Sequence, residues 1–599
     1  MSTYHAPLQD MHFVLKELAS LEQVGRLPGF EDATPDTVAA ILDEAARFAT
    51  EVLDPLNAVG DREGATWNAD GSVKTPTGFK DAYRRFAENG WNGLTKNPDH
   101  GGQGLPQLVA TAVEEMWQSA NLAFALCPLL TQGAIEALEL VGSDTLKSKF
   151  LPKMVEGVWT GTMNLTEPQA GSDLAAVRTR AVPQPDSSYK LYGQKIFITY
   201  GEQDYTDNIV HLVLGRTPTA PEGVKGISLF VVPKFLVNDD GTLGERNDVH
   251  CVSIEHKLGI HASPTAVLAY GDRGGAVGYL VGEENRGLEY MFIMMNMARF
   301  SVGLEGVGIA ERAYQRALAY AKDRVQGRAP GLEKLAANAT ILQHPDVRRM
   351  LLTMKAQTEA MRVLAYVTGA AIDNARRHPD ADARKRHQAF VDLMIPIVKG
   401  WSTETAQEVT YLGVQVHGGM GFIEETGAAQ HYRDARITTI YEGTTAIQAN
   451  DLIGRKTARD SGAVARSVVA DIGKTASALA NDSNEDLRTI GSDLAAAAGA
   501  LSEAIDWVVP AFGKETRAAH AASVPYLRLW GLVAGGWQLA RGAQIAARRL
   551  TEGAGDAAFY HGKIATARFY AECLLPQAPA LARTITHSDA VLALADEQF

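Results

Sequence analysis

The chain has 599 residues, 46% hydrophobic, 21% charged and 7% aromatic, which is long enough for about four domains of ~150 residues and ordinary enough in composition to fold throughout. Its 57 basic residues against 70 acidic ones leave a formal charge of -13, which disfavours nonspecific binding to nucleic acid or an anionic membrane, since either would repel the average field. Three cysteines, Cys127, Cys251 and Cys573, lie far apart without metal-ligand spacing, which argues for a reducing compartment and against a disulfide framework or a zinc or iron-sulfur site.

The opening Met1-Ser2-Thr3-Tyr4-His5-Ala6-Pro7 has neither the basic region and apolar core of a secretory signal nor an Arg-rich transit pattern. No window reaches the roughly 18 uncharged apolar residues of a membrane helix. The expectation is a cytoplasmic protein without membrane insertion. Residues 1–157 read as a helical bundle from Met11, Val14 and Leu15, then Val38, Ile41, Leu42 and Ala45, then Leu108, Ala112 and Met116. A turn-forming segment, Pro98-Asp99-His100-Gly101-Gly102-Gln103-Gly104-Leu105-Pro106, interrupts it.

Residues 158–284 change to short β-branched or alternating runs, at 196–199, 209–214, 227–232, 252–254 and 267–270, separated by Gly, Pro, Asn and Asp. These predict a small β-barrel or sandwich. Residues 285–456 return to long helical stretches with a loop over 326–330. Residues 461–599 are alanine-rich, with helical runs at 487–505 and 527–550, and read as an appended helical domain. That segment has 12 basic against 14 acidic residues, so it is no basic nucleic-acid module. The clusters Arg376-Arg377 and Arg384-Lys385-Arg386 read as a solvated helix face. The fold class is therefore α+β and multidomain: helical bundle, β-barrel, helical bundle and appended helical domain.

One carboxylate stands in a break between two apolar runs: Glu442, in Arg433-Asp434-Ala435-Arg436-Ile437-Thr438-Thr439-Ile440-Tyr441-Glu442-Gly443-Thr444-Thr445-Ala446-Ile447-Gln448. Ile437 and Ile440 are spaced as on one helix face, and the backbone turns near Glu442. Thr445 with Gln448 has the form of a capping box, which predicts a helix starting just behind the carboxylate with its unpaired amides toward it. An anionic ligand could sit there too. Upstream lies Gln415-Val416-His417-Gly418-Gly419-Met420-Gly421-Phe422, whose glycines allow close backbone approach to a ligand. His417 reads as a helix-end histidine satisfied by backbone.

These two motifs, in this order, resemble the C-terminal signature of the acyl-CoA dehydrogenase family. Two further segments support it. Asn164-Leu165-Thr166-Glu167-Pro168-Gln169-Ala170-Gly171-Ser172-Asp173 is similar to the family's flavin-contacting loop, and Gly193-Gln194-Lys195-Ile196-Phe197-Ile198-Thr199-Tyr200-Gly201 to its glycine, lysine, aromatic, Ile-Thr strand. The resemblance implies FAD as cofactor, with Thr166 on the flavin ring, Ser172 near the pyrophosphate, the Thr199 hydroxyl facing flavin N5, and Leu165 and Phe197 beside them. Many members have tryptophan where this chain has Phe197. Arg324 corresponds to an arginine that members extend to the FAD pyrophosphate of a neighbouring subunit, although Val325-Gln326-Gly327 follows it where members often carry phenylalanine and glycine. Gln415, Gly418 and Gly419 match the adenine-side contact, and Thr444 and Thr445 complete the cofactor set.

By the same resemblance Glu442 removes the proton alpha to a thioester carbonyl, its proton affinity raised by an apolar pocket, while its backbone amide and a ribityl hydroxyl bind the thioester oxygen. Ser172, Asn296, Arg299 and Gly443 are expected on the substrate side. Some members carry the base directly before an arginine on an earlier helix; here that residue is Ala298, which leaves Glu442 as the single candidate. The appended segment, with Tyr4-His5-Ala6-Pro7-Leu8-Gln9-Asp10-Met11 and Phe422-Ile423-Glu424-Glu425-Thr426-Gly427, resembles a longer subgroup acting on 3-(methylthio)propanoyl-CoA in bacterial dimethylsulfoniopropionate breakdown. The implied partners are an acyl-CoA, electron-transfer flavoprotein and a second copy of the chain in a homodimer. The competing readings are a medium- or long-chain acyl-CoA dehydrogenase of β-oxidation, an acyl-CoA oxidase and a non-catalytic DNA-binding flavoprotein, the last disfavoured by the acidic balance.

Overall fold

A computed structural model describes residues 3–331 and 339–599. The chain separates into two compact units that cut across the sequence segments: one is built from Met1–Ala46, Pro106–Ser119 and Arg299–Phe599, the other from Arg47–Leu105 and Ala120–Ala298.

The second unit is organised by an eight-stranded sheet. Trp159–Asn164 pairs in parallel with Asn208–Gly215, and the remaining neighbours pair antiparallel through Ser228–Pro233, Ala276–Val281, Tyr189–Thr199, Thr265–Tyr270 and Val249–Ile254. Side chains alternate across a strand, and here both faces are buried. Val210, Leu212, Leu229 and Val231 face a core with the helices Leu122–Val141 and Asp144–Glu156, whereas Val213, Phe230 and Val232 face a second core with Ile198, Leu268 and Cys251. The sheet thus encloses its own core, as expected of a barrel or sandwich. A minor two-stranded sheet, Thr66–Trp67 with Val73–Lys74, interrupts the helical first segment without a sequence cue.

The first unit is helical. The rods Pro345–Arg377 and Ala381–His417 pack on each other and on the appended helix Ser523–Thr551, which in turn packs on Glu485–Lys514 and Ala557–Cys573, while Gly287–Asp323 meets Ala381–His417 where Gly303 and Gly306 face Val398 and Ser402. Helix Ser523–Thr551 lies so close to Trp401 that a Cβ on Gly531 would sit 1.9 Å from the indole; only glycine permits that approach. Buried Arg362 gathers Asp10, Glu115 and Glu311 at 2.6–2.8 Å, and Lys563 of Ala557–Cys573 bonds both Asp10 and Glu359. The amino-terminal helix Leu8–Phe13 and the appended segment are therefore tied into one ionic network. Two helices, Leu122–Val141 and Glu485–Lys514, are long and apolar enough to cross a membrane, against the reading that none would be, but 72% and 50% of their apolar windows are buried inside the fold.

Candidate active site

In the second unit the loop after Trp159–Asn164 is pinned from below. Ile196 N–H donates to the Thr166 carbonyl at 2.9 Å, and buried Lys195 donates to the Leu165 carbonyl at 3.0 Å and to Glu167 at 2.9 Å. Glu167 also accepts from the Arg178 and Thr179 N–H groups and the Thr179 hydroxyl. Burial pushes its carboxyl up, but Lys195 and these donors outweigh that and hold it at about 2. The strand Tyr189–Thr199 carries a bulge, where its register against Thr265–Tyr270 shifts and Phe197 takes φ +58°. A bulge re-aims side chains: Lys195 and Ile198 point inward, while the Phe197 ring is 58% exposed. Thr199 is half-buried two residues on, Leu165 and Thr166 are half-buried and bonded to the same strand through Lys195 and Ile196, and Ser172 and Asn296 are exposed. An uncovered aromatic wall flanked by hydroxyls suits a planar heteroaromatic ligand.

In the first unit Glu442 takes φ +54° and Gly443 φ +89°, so the chain reverses at the carboxylate as expected. Both peptide carbonyls of the turn are gripped: Gln448 Nε2 donates to Glu442 O at 3.1 Å, and Lys399 Nζ to Gly443 O at 2.8 Å. The Glu442 N–H has no hydrogen-bond partner among the described residues. The following helix spans Thr445–Ile453, with Thr444 as N-cap accepting from Ile447 N. The predicted capping box is therefore corrected by one residue: Thr444 caps, the Thr445 hydroxyl goes to Glu404, and Gln448 holds the turn. Ile437 and Ile440 do not share a buried helix face; a 3₁₀ turn, Arg436–Thr439, leaves Ile440 exposed.

Glu442 is half-buried. Burial pushes its carboxyl up, and Arg299 and Lys399 pull it partly back. Arg299 is buried 3.6 Å from Asp451. Sequence reasoning missed Lys399, Glu305 and Tyr441. Glu305 is fully buried and accepts from the Tyr441 hydroxyl; burial raises its carboxyl to about 8 against the pull of Tyr441 and Lys399. Glu442 is thus accompanied by a second acid, although only Glu442 is accessible. A cue existed: Glu305 and Lys399 each interrupt an apolar helical run, at 301–309 and 393–401, and a charge there needs a partner.

Arg324, Gln415, Gly418 and Gly419 are exposed in this unit. Tyr320 stacks on His417 at 4.4 Å, which brings the end of Gly287–Asp323 beside the end of Ala381–His417. Nothing lies within 4 Å of a Cβ built on Gly418 or Gly419. His417 donates from Nδ1 to Gly413 O at 2.7 Å, the backbone-satisfied role expected of it.

Four family models match in order along the chain: the acyl-CoA dehydrogenase N-terminal domain over residues 35–158, middle domain over 162–272 and C-terminal domain over 285–456, then an acetyl-CoA dehydrogenase C-terminal-like domain over 468–596. The chain belongs to the acyl-CoA dehydrogenase family. It is 51% identical over 585 residues to the 3-methylmercaptopropionyl-CoA dehydrogenase of Ruegeria pomeroyi, covering 98% of each chain. It is 36% identical to the broad-specificity linear acyl-CoA dehydrogenase FadE5 of Mycobacterium tuberculosis, covering 96% of each. An FAD-complexed acyl-CoA dehydrogenase from Bacillus anthracis shares the fold, with a TM-score of 0.74 at 21% identity over 96% of this chain and 91% of that one. As a member of the acyl-CoA dehydrogenase family, this protein is an oxidoreductase of acyl-CoA thioesters.

Proposed function

We propose that this protein is an FAD-dependent dehydrogenase that removes the α-proton and β-hydride of 3-(methylthio)propanoyl-CoA, as in dimethylsulfoniopropionate breakdown, and passes the electrons to electron-transfer flavoprotein. The observation that carries the reading is Glu442: an accessible carboxyl with burial-raised proton affinity, on a strained turn whose own N–H is unengaged. A raised proton affinity suits a base for a weakly acidic carbon, and a fixed N–H beside it is placed to hold the thioester oxygen as enolate-like charge develops. Gln448 and Lys399 keep that N–H aimed by holding the carbonyls on either side of the Gly443 nitrogen. FAD, when bound, supplies the acceptor for the β-hydride. The residues we assign to it are Leu165, Thr166, Ser172, Phe197, Thr199, Arg324, Gln415, Gly418, Gly419, Thr444 and Thr445. Asn296, Arg299 and Gly443, with Ser172, take the substrate side. The four segments 1–157, 158–284, 285–456 and 461–599 serve as the sequence units of this enzyme, and three free cysteines suit a cytoplasmic setting.

The test is anaerobic titration of the yellow holoenzyme with a panel of acyl-CoA thioesters. The methylthio substrate should decolorise the flavin with the highest kcat/KM, and electron-transfer flavoprotein should restore the colour without peroxide. A preference for straight medium or long chains, or stoichiometric peroxide under air, would refute the substrate or the acceptor.

The assembly we propose is a homodimer. Tyr411, Met420, Phe422, Ile423, Tyr432 and Ile440 are exposed within 30 residues of one another, Phe422 at 87%. Large exposed apolar side chains suit a contact surface, and Met420 directly follows Gly418 and Gly419 in the chain. Phe422→Glu is expected to shift the sedimentation coefficient to that of a monomer and to weaken FAD retention on gel filtration by at least about tenfold, the equivalent of about 1.4 kcal/mol.

A further inference from the structure

We propose that Lys399 is a positioning residue for the base, clamping the Glu442-Gly443 turn and adding its positive charge to that of Arg299 beside Glu442, with Glu305 and Tyr441 holding the other end of the clamp. The proposal rests on the reading of Glu442 as the base. Three consecutive residues carry the geometry. Tyr441 is tied through its hydroxyl to Glu305 on helix Gly287–Asp323, and Gly443 is tied through its carbonyl to Lys399 on helix Ala381–His417. Glu442 lies between these two anchors in a left-handed conformation that a glutamate rarely adopts. Such a backbone persists only where the surroundings over-determine it, and here two fully buried ionisable side chains from different helices do so.

The charges explain why an ammonium stands there. A buried cation without a counter-ion is not stable in a core. Burial lowers the Lys399 ammonium to about 8; Glu305 first, then Glu442 and Glu404, pull it back up, and Arg299 opposes them. Arg299 is itself matched chiefly to Asp451, with Glu442 second and Arg455 opposing. Glu404 receives the Thr445 hydroxyl. One oxygen of Glu305, Oε1, is buried without a hydrogen-bond partner among the described residues, so this carboxyl is poorly solvated as an anion. Burial raises its proton affinity accordingly, so Glu442 supplements it as counter-charge to Lys399. When Glu442 accepts the substrate proton, Lys399 loses that contribution, and Glu305 and Glu404 are the acids that remain.

The experiment follows the pH dependence of anaerobic flavin decolorisation by substrate in FAD-loaded enzyme. In parallel, an infrared titration without substrate follows the Glu442 carboxyl, assigned by its loss in Glu442→Gln. Lys399→Met removes the positive charge, so the pH at which Glu442 ionises should rise by about one unit or more; Lys399→Arg keeps the charge and should return the midpoint most of the way to the wild-type value. Glu305→Gln removes a competing acid and should move the midpoint the other way or leave it in place. If Lys399→Met and Lys399→Arg slow the reaction equally with the wild-type midpoint, or if Glu305→Gln raises the midpoint as Lys399→Met does, the proposal fails. Should Lys399→Met not fold, the Arg and Gln variants decide by the same criterion. The base reading is separable: it fails if Glu442→Gln decolorises normally, whatever Lys399 does, whereas an inert Glu442→Gln with an unmoved Lys399→Met midpoint overturns only the clamp.

Discussion

Glu442→Gln is expected to keep its yellow cofactor while losing substrate-driven flavin decolorisation by about 10⁴-fold, the upper end of what a positioned general base contributes. The amide is nearly isosteric with the carboxyl, so the turn at φ +54° and the bonds from Gln448 and Lys399 to its carbonyls are retained. What disappears is the group that accepts the proton. Glu305 cannot take over, because it is fully buried and engaged by Tyr441. Stopped-flow decolorisation under nitrogen measures the loss directly. A variant within tenfold of the parent would mean that the α-proton leaves to another residue and that the site has been misassigned. Below neutrality the parent should slow as well, since burial raises the Glu442 carboxyl above the ordinary carboxylate range and protonation of the free enzyme removes the base.

Arg362→Met is expected to be the most damaging single change to the first unit. Arg362 is 1% exposed and bonds three carboxylates from three segments, Asp10, Glu115 and Glu311. Removing it strands buried negative charge, which costs about 3–5 kcal/mol, far more than losing an exposed ion pair such as Arg84 with Glu88, which solvent screens. The sign with pH follows from Glu115. Its carboxyl already lies above the ordinary value because burial outweighs Arg362, and without the guanidinium it rises further. A raised carboxyl favours the folded state at low pH and penalises it as pH rises, so the deficit in Tm should be smaller at pH 5 than at pH 8. A variant with the parent's Tm at both pH values would show that the network contributes little. Arg362→Lys should recover only part of the loss, because an ammonium cannot reproduce the planar fork that engages Glu115 through two nitrogens.

Local signals, apolar runs on either side, a glycine after it and a helix start behind it, placed Glu442 at a turn, but only the resemblance of residues 433–448 to the family signature distinguished it from a solvated loop glutamate. The same local reading misplaced the cap, since Thr444 and Thr445 are equivalent in composition and only backbone geometry decides between them. It also put Ile437 and Ile440 on a helix face, although apolar residues spaced by three serve an exposed contact patch equally well. Lys399 and Glu305 escaped because their partners lie 44 and 136 residues away, beyond any periodicity window. The strand runs at 209–214 and 227–232 were visible from β-branched content. The short hairpin Phe235–Val237 with Leu243–Arg246 was not, being too brief and too polar to stand out. The union of residues 1–46 with residues beyond 299 is likewise a property of long-range packing.

That union has a consequence for biogenesis. Asp10 and Glu115 emerge from the ribosome hundreds of residues before Arg362 and Lys563, the cations that neutralise them. The nascent acidic groups must therefore stay hydrated until those later segments are made. A polypeptide cut short after residue 456 would keep Arg362 but lose Lys563, leaving Asp10 and Glu359 without that cation and the long rods without the appended helices that cover them, a substrate for chaperones and proteases rather than a smaller working enzyme.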